Sequence, residues 1–153
     1  MDQGDLAPDF TLLDDQGEER TLSEFLTKGP VVLFFYPAAM TGGCTAESCH
    51  FRDLAAEFAE VGAQRVGISP DSVAKQRMFS DANGFDYPLL SDEDGEVAKK
   101  FGVWRRFNPL LHAKRHTFVI DTDRKVLEVI KSELNFTIHA DTALKVLRDR
   151  QDS

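Results

Sequence analysis

Apolar residues in this chain fall into short blocks that are separated by Gly, Pro and acidic residues. The most apolar block is Val31–Tyr36, a run in which apolar and polar positions do not alternate. An unbroken run of this length is typical of a β-strand buried on both faces of a sheet. We therefore predict that residues 31–36 form the central strand of a covered sheet and that Pro37 ends it, since proline cannot donate to a strand ladder.

Weaker patterns flank this strand. Residues 9–13 and 20–22 enclose a Gly-containing turn and predict a β-hairpin, after which Ser23 is the predicted N-cap of a brief helix. A second helix is predicted from about Thr41 to Gly62. Its apolar stripe, spaced i, i+3, i+4 and i+7, consists of Phe51, Leu54, Ala55 and Phe58.

The middle of the chain alternates extended and helical patterns. Residues 65–69 predict a strand, and the following helix opens at Pro70-Asp71-Ser72 and ends at Gly84. Its apolar positions are Val73, Phe79 and Ala82. Residues 87–91 are again extended, and the acidic residues 92–94 suit the start of a helix that ends at Gly102.

The last third predicts an antiparallel hairpin, residues 117–121 and 126–130, and a final amphipathic helix carrying Ala143, Leu144, Val146 and Leu147. Residues 103–115 have no period, and we predict a loop with exposed basic and aromatic groups there. This order of elements predicts one domain, residues 1–153, of the α/β class. We expect a mixed central sheet flanked by helices on both faces.

Composition and charge exclude several classes of function. Hydrophobic residues make up 42% of the 153 residues and charged residues 29%, as in soluble globular proteins. The net charge of −8 argues against a nucleic-acid or anionic-membrane partner. No apolar run approaches the ~18 residues that a membrane span needs. The acidic start, Met1–Asp5, lacks the regions of a secretory signal, so we expect a cytoplasmic protein.

Both cysteines, Cys44 and Cys49, follow the predicted central strand. Two cysteines are too few for the usual closed zinc site, and structural disulfides are unusual in a reducing compartment. Both arguments favour redox or nucleophilic chemistry. The reactive form is the thiolate, and backbone N–H groups at a helix start would favour it at Cys44. A buried, inert cysteine is the alternative. We do not expect it, because a helix start after a Pro and Gly loop is not a core position.

The two cysteines are five positions apart. In an intact helix this spacing separates their Cα atoms by roughly 8–9 Å, whereas a disulfide needs less than ~7 Å. Either the pair never bridges, or the first helical turns unwind when it does.

The pattern Pro37-x-x-x-Thr41-x-x-Cys44 resembles the active-site motif of the peroxiredoxins, and Cys44-Thr45-x-Glu47-x-Cys49 resembles their bacterioferritin-comigratory, or Q-type, branch. The likeness covers nearly the whole chain. It continues in Ala7–Phe10, Tyr87–Asp92 and the run from Arg115 to Asp121. The chain departs from the branch at Gly42-Gly43, where a Pro is frequent.

This resemblance implies a thioredoxin-like fold and a thiol-dependent peroxidase that reduces hydrogen peroxide or organic hydroperoxides without a cofactor or metal. The sulfenic acid formed would be resolved as an intramolecular disulfide and recycled by thioredoxin or a similar dithiol. We expect a monomer, because an intrachain resolving cysteine needs no partner subunit. The implied site residues are Cys44 (peroxidatic), Cys49 (resolving), Thr41 (peroxide-binding hydroxyl), Arg115 (transition-state cation), Pro37 (shielding the sulfur) and Glu47 (supporting).

Several of these residues have a plainer interpretation. Arg115 could be a solvated cation at a strand edge, Thr41 a helix cap, and Glu47 a carboxylate on the helix surface. Surface or structural roles are also favoured for His50, and ordinary packing is at least as good an account of Trp104 and Phe107 as a substrate or partner surface.

Three rival functions remain open at this point. A disulfide reductase of the thioredoxin type would use Cys-x-x-Cys, which the observed spacing does not match. A redox sensor could signal through the Cys44–Cys49 disulfide without sustained turnover. A metal-binding protein could use Cys44, Cys49 and His50, although these ligands are few.

Overall fold

The structure is a computed structural model that describes residues 1–105 and 112–152. Within these residues one mixed sheet has the strand order β2-β1-β5-β4-β3-β6-β7. Its strands are β1 (Thr11–Asp14), β2 (Glu19–Thr21), β3 (Val31–Phe35), β4 (Gln64–Ser69), β5 (Leu89–Ser91), β6 (His116–Ile120) and β7 (Val126–Lys131). The helices are α1 (Leu22–Leu26), α2 (Gly42–Asp53), α3 (Ala55–Glu60), α4 (Val73–Asn83), α5 (Glu96–Lys100) and α6 (Ile138–Asp152).

Strand β3 is interior to the sheet, as its sequence predicts. It pairs in parallel with β4 and antiparallel with β6. All five of its residues are buried, and they divide between two apolar clusters on opposite faces: Val31, Leu33 and Phe35 on one, Val32 and Phe34 on the other. The pattern is unbroken because both faces of β3 are covered.

Helices cover both faces of the sheet. Helices α1 and α5 contribute Phe25 and Val97 to the first cluster, while α2, α3, α4 and α6 contribute Phe51, Phe58, Phe79, Leu144 and their neighbours to the second. The α/β class, the mixed sheet and both predicted hairpins are confirmed. Among the described residues, no helix has the length and apolarity needed to cross a membrane.

The single helix predicted from Thr41 to Gly62 is wrong, because the ladder breaks at Leu54 and separates α2 from α3. Leu54 has φ −98° and ψ 22°, outside the helical range. The cause lies on β4, where Arg65 Nη1 donates to the Phe51 carbonyl at 2.9 Å. In a continuous helix that carbonyl would accept the N–H of Ala55.

Ser23 is not the N-cap of α1. Thr21 occupies that position, and the N–H and hydroxyl of Ser23 both donate to the Asp9 carboxylate, at 2.9 and 2.8 Å. Asp9 therefore accepts an N–H group of the first helical turn, which is usually the role of the N-cap side chain.

Helix α4 begins and ends as predicted, with Ser72 accepting the Lys75 N–H and Gly84 in the left-handed conformation. Its buried face differs from the predicted one. Ala82 is exposed, and the buried residues of the helix are Gln76, Phe79 and Ser80. The Gln76 amide donates to the Leu90 carbonyl at 2.8 Å and accepts the Tyr36 hydroxyl at 2.6 Å. These buried hydrogen bonds fix the rotation of the helix.

In the segment 103–115 the structure describes residues 103–105 and 112–115, and these are less exposed than predicted. Trp104 forms an isolated antiparallel bridge with Ala113 and stacks on His112 with ring centroids 4.5 Å apart. The indole packs against the first apolar cluster, whereas Cys44 belongs to the second. Ordinary packing is therefore the account of Trp104 that the structure supports, while Phe107 and Arg106 lie outside the described residues.

Candidate active site

The loop between β3 and α2 is held by a neighbouring strand end. Pro37 is buried directly after β3, and the Ala39 N–H donates to Asp71 Oδ2 at 2.7 Å. Met40 has a φ of +68°, a left-handed conformation that is costly for a residue with a side chain. Asp71 follows β4, which runs parallel to β3, so both strands deliver their following residues to the same edge of the sheet.

Thr41 is the N-cap residue of α2, but its side chain makes no capping bond, so the capping interpretation is wrong. The hydroxyl donates instead to the Ala38 carbonyl at 2.8 Å and is exposed. Because that bond uses its hydrogen, the oxygen keeps its acceptor lone pairs for a second donor such as a hydroperoxide O–H. The N–H groups of Gly43 and Cys44, in the first turn, have no partner within the helix.

Cys44 lies in the first turn of α2 and is fully buried. The expectation that this helix start lies outside the core is therefore wrong, because Cys44 belongs to the second apolar cluster together with Phe34 and Tyr36. The sulfur is not surrounded by apolar groups alone, because Arg115 Nη2 donates to Cys44 Sγ at 3.3 Å.

Arg115 reaches the sulfur because of the register of the sheet. Phe34 of β3 pairs with Thr117 of antiparallel β6, so the residues just before β6 lie beside the end of β3. Arg115 is only 5% exposed, which excludes a solvated strand-edge cation. Burial alone would lower the pKa of its guanidinium, but electrostatic attraction to Glu47 and Cys44 and the hydrogen bonds to both raise that pKa above its ordinary value.

Glu47 is fully buried, so the interpretation as a surface carboxylate is wrong. It lies one turn after Cys44 on α2, and its Oε1 accepts Arg115 Nη1 at 3.1 Å. Burial raises the pKa of Glu47 to about 8, although the charge of Arg115 and the hydrogen bond oppose the shift. The other carboxyl oxygen, Oε2, is buried and has no hydrogen-bond partner among the described residues.

Sequence reasoning missed His139, which lies behind Glu47. Its Nε2 is 3.4 Å from Glu47 Oε2 and 2.8 Å from the Ser132 carbonyl, and its Nδ1 is 2.8 Å from the Thr117 hydroxyl. Burial and the nearby charge of Arg115 lower the pKa of His139, which keeps the imidazole neutral. The signal in the sequence was a polar residue on the face of the last helix that packs against the protein, the face to which the buried Ala140 and Ala143 also belong.

Phe136 was also missed. Its ring lies over the Arg115 guanidinium at 4.9 Å, and a Cβ on Gly43 would meet the ring at 2.7 Å. Gly43 is therefore required for close approach, whereas nothing lies within 4 Å of a Cβ on Gly42. At Gly43, where the chain departs from the branch, an aromatic ring thus occupies the space that a side chain would fill.

Cys49 lies on the same intact helix as Cys44, and both thiols are free. Its Sγ is half-buried and 3.6 Å from Asn83 Oδ1 at the end of α4. The structure thus places the two cysteines in separate environments, one beside Arg115 and the other against α4. The unbroken helix between them is the geometry in which a disulfide cannot close.

His50 does not extend this site. Its Nε2 is 2.7 Å from Asp141 Oδ1, an exposed contact between α2 and α6. No group of three or more His, Cys, Asp or Glu side chains in the described part of the chain is arranged to hold a metal ion.

The sequence and the structure of this chain are both similar to those of known proteins. The profile of the AhpC/TSA family matches residues 3–129. Peroxiredoxin Bcp of Escherichia coli K12 is 37% identical over 150 residues, and the match covers 95% of each chain.

Two solved structures are similar over most of their length. Peroxidoxin BcpB from Mycobacterium tuberculosis superposes with a TM-score of 0.93 at 61% identity, covering 97% of both chains. The bacterioferritin comigratory protein of Xanthomonas campestris, studied for its alkyl peroxide reduction activity, superposes with a TM-score of 0.83 at 30% identity. That match covers 92% of this chain and 91% of the other.

We expect Gly43→Ala to slow oxidation of Cys44 by hydrogen peroxide roughly tenfold, about 1.4 kcal/mol in the barrier. The new methyl group would displace the Phe136 ring and would lie 3.3 Å from Arg115 Nη2, the nitrogen that contacts the sulfur. Gly42→Ala is the matched control, because it gains the same helix propensity in open space. Stopped-flow oxidation rates compare the two, and equal rates would refute a role for this contact.

A second prediction concerns Glu47→Gln and the pH dependence of stability. In the unfolded chain Glu47 has its ordinary pKa of 4.5, whereas burial raises the pKa of the folded carboxyl to about 8. The stability gained by burying the neutral carboxyl is present below the unfolded pKa and is lost as pH rises through the folded one. Relative to Glu47→Gln, wild type should therefore lose up to about 5 kcal/mol of unfolding free energy across this window.

Urea unfolding of the reduced proteins at a series of pH values measures this difference. Glu96→Gln on the exposed surface of α5 is the control and should follow wild type at every pH. A constant difference between wild type and Glu47→Gln would show that Glu47 does not titrate in this range.

Proposed function

This chain belongs to the AhpC/TSA family, the peroxiredoxins, and from that membership we propose a catalytic cycle for its own residues. The protein is an oxidoreductase that reduces peroxides through a thiol. In the proposed cycle Cys44 is the peroxidatic cysteine and Cys49 the resolving cysteine. The observation that carries this proposal is the contact between Arg115 Nη2 and Cys44 Sγ, 3.3 Å apart in a buried site.

The first step is attack of the Cys44 thiolate on one peroxide oxygen. A sulfur–oxygen bond forms, the oxygen–oxygen bond breaks, and a hydroxide or alkoxide leaves. Negative charge therefore spreads along the line of sulfur and two oxygens, and donors that are already in place lower the barrier. Arg115 and the N–H of Cys44 are positioned as such donors, since the first is permanently cationic and the second is unpaired in the helix.

Thr41 and Pro37 have supporting roles in the proposal. The Thr41 oxygen, whose hydrogen is bound to Ala38, accepts the peroxide O–H and orients it toward the sulfur. Pro37 is buried at the end of β3 and shields Cys44 from water. Glu47 holds Arg115 through Oε1, so that the guanidinium faces the sulfur with its other nitrogen.

The second step joins Cys49 to the sulfenic acid and releases water. Because α2 is intact across both cysteines, this step requires the helix to unwind and Cys49 to leave its contact with Asn83. A thioredoxin-type dithiol then restores both thiols by exchange. Alkyl hydroperoxides are candidate substrates as well as hydrogen peroxide, since the similar Xanthomonas campestris protein has alkyl peroxide reduction activity.

We further propose that residues 1–153 are a single domain that acts as a cytoplasmic monomer, since the cycle needs no residue from another subunit. The redox-sensor alternative uses the same disulfide and is less favoured, because the related chains are peroxiredoxins.

We predict that Cys44→Ser abolishes peroxide reduction, because serine cannot form the sulfenic acid. Cys49→Ser should keep one fast oxidation per chain and lose turnover with a thioredoxin system, unless an external thiol resolves the sulfenic acid. Stopped-flow oxidation and a coupled turnover assay measure the two steps separately.

Two outcomes would contradict the cycle. Activity retained in Cys44→Ser would remove the peroxidatic assignment. A single stoichiometric oxidation of wild type, without turnover in the presence of a thioredoxin system, would favour the sensor. Oxidation with hydrogen peroxide and with an organic hydroperoxide in parallel determines the substrate preference.

We also predict that formation of the disulfide unwinds the start of α2. The amides of residues 44–52 should exchange with solvent much faster in the oxidised protein than in the reduced one, because a Cys44–Cys49 bridge and an intact helix exclude each other. Hydrogen exchange measured by mass spectrometry tests this, with α4 as the internal reference. Equal protection of α2 in both states would refute unwinding.

A further inference from the structure

One guanidinium in this site serves two acids. Arg115 contacts Cys44 Sγ through Nη2 at 3.3 Å and Glu47 Oε1 through Nη1 at 3.1 Å. Both acids are fully buried, so water does not compensate their charges. An uncompensated charge in such surroundings is costly, and a single cation can neutralise only one of the two.

The other groups that face Glu47 do not change this balance. His139 on α6 is neutral, and Glu133, in the segment between β7 and α6, adds negative potential that raises the pKa of Glu47 further. The partly buried backbone N–H of Arg115 donates to Glu133 Oε1 at 3.1 Å, which places that carboxylate near the same cluster. Within the described residues, the cation that contacts Glu47 is therefore Arg115.

We propose that Glu47 is a redox-linked proton donor, which carries a proton while Cys44 is a thiolate and releases it when that thiolate is oxidised. The Glu47 carboxylate then replaces the thiolate as the counter-ion of Arg115. The proposal rests on the peroxidase cycle above and adds a proton-holding function to a residue that the cycle uses only to hold Arg115.

The step balances in atoms and charge. The Cys44 thiolate gives two electrons to hydrogen peroxide. The oxygen–oxygen bond breaks, one OH group stays on the sulfur as the sulfenic acid, and the other leaves as hydroxide. The hydroxide takes up the proton that Glu47 releases and becomes water. Net charge in the cluster of Cys44, Glu47 and Arg115 is zero before and after. The disulfide with Cys49 is also neutral, so Glu47 stays ionised until reduction returns the thiolate and the proton.

The carboxyl group has a place for this proton. Oε1 accepts from Arg115, whereas Oε2 is buried without a hydrogen-bond partner among the described residues. His139 Nε2 lies 3.4 Å from Oε2, but it donates its hydrogen to the Ser132 carbonyl at 2.8 Å and therefore cannot accept the proton of Glu47. Burial also raises the pKa of Glu47 to about 8, consistent with a protonated carboxyl at neutral pH in the reduced protein.

Infrared difference spectroscopy tests the proposal directly. The reduced protein should show the carbonyl stretch of one protonated carboxyl group, which disappears on oxidation with hydrogen peroxide while carboxylate bands appear. Glu47→Gln should lack this change, and Glu47→Asp should restore it at a shifted frequency. The proton count gives a second readout on wild type alone: no net proton uptake per Cys44 oxidised is expected at neutral pH.

Mass spectrometry of the same samples separates failure of this inference from failure of the cycle. If peroxide oxidises Cys44 and the carboxyl band does not change, or one proton is taken up per Cys44, the inference is overturned and the peroxidase cycle stands. If peroxide leaves Cys44 reduced, the cycle fails. In that case a disulfide made with a chemical thiol oxidant still tests Glu47 by the same band.

Discussion

The contact between the Arg115 guanidinium and the Cys44 sulfur is the interaction on which the rest of the site depends. A sulfur buried among aromatic side chains would by itself be an inert core cysteine. A cation that is held 3.3 Å away, and is almost as buried, is placed to compensate a negative charge on that sulfur and to donate a hydrogen bond to it. The hydrogen bond to Glu47 and the Phe136 ring over the guanidinium hold that cation in place.

The sheet explains how such distant parts of the chain meet. Strand β3 lies between a parallel and an antiparallel neighbour, so the residues after β3, those after β4 and those before β6 all come to one edge. Asp71, which follows β4, accepts a hydrogen bond from the loop between β3 and α2. Arg115, which precedes β6, donates to the Cys44 sulfur. The mixed sheet is thus the device that assembles the site.

Local sequence was sufficient where local physics decides the structure. The unbroken apolar run predicted β3, and Ser72 and Gly84 predicted the two ends of α4. It was insufficient where a partner from elsewhere in the chain decides. The burial of Glu47 depends on Arg115, 68 positions away, and the break at Leu54 depends on a guanidinium from β4. The sign of His139 in the sequence is only a polar residue on the inward face of the last helix, and Phe136 carries no local sign, because each acts through contacts that the finished fold creates.

The break at Leu54 bears on how far a conformational change in this region can spread. Helix melting propagates along an uninterrupted ladder, since each opened turn removes the support of the next. Arg65 interrupts that ladder at the Phe51 carbonyl, so α3 begins as a separate segment and its Phe58 stays anchored in the second apolar cluster. The unwinding of α2 in the proposed cycle is therefore expected to stop within α2 and to leave the residues that anchor α3 in place.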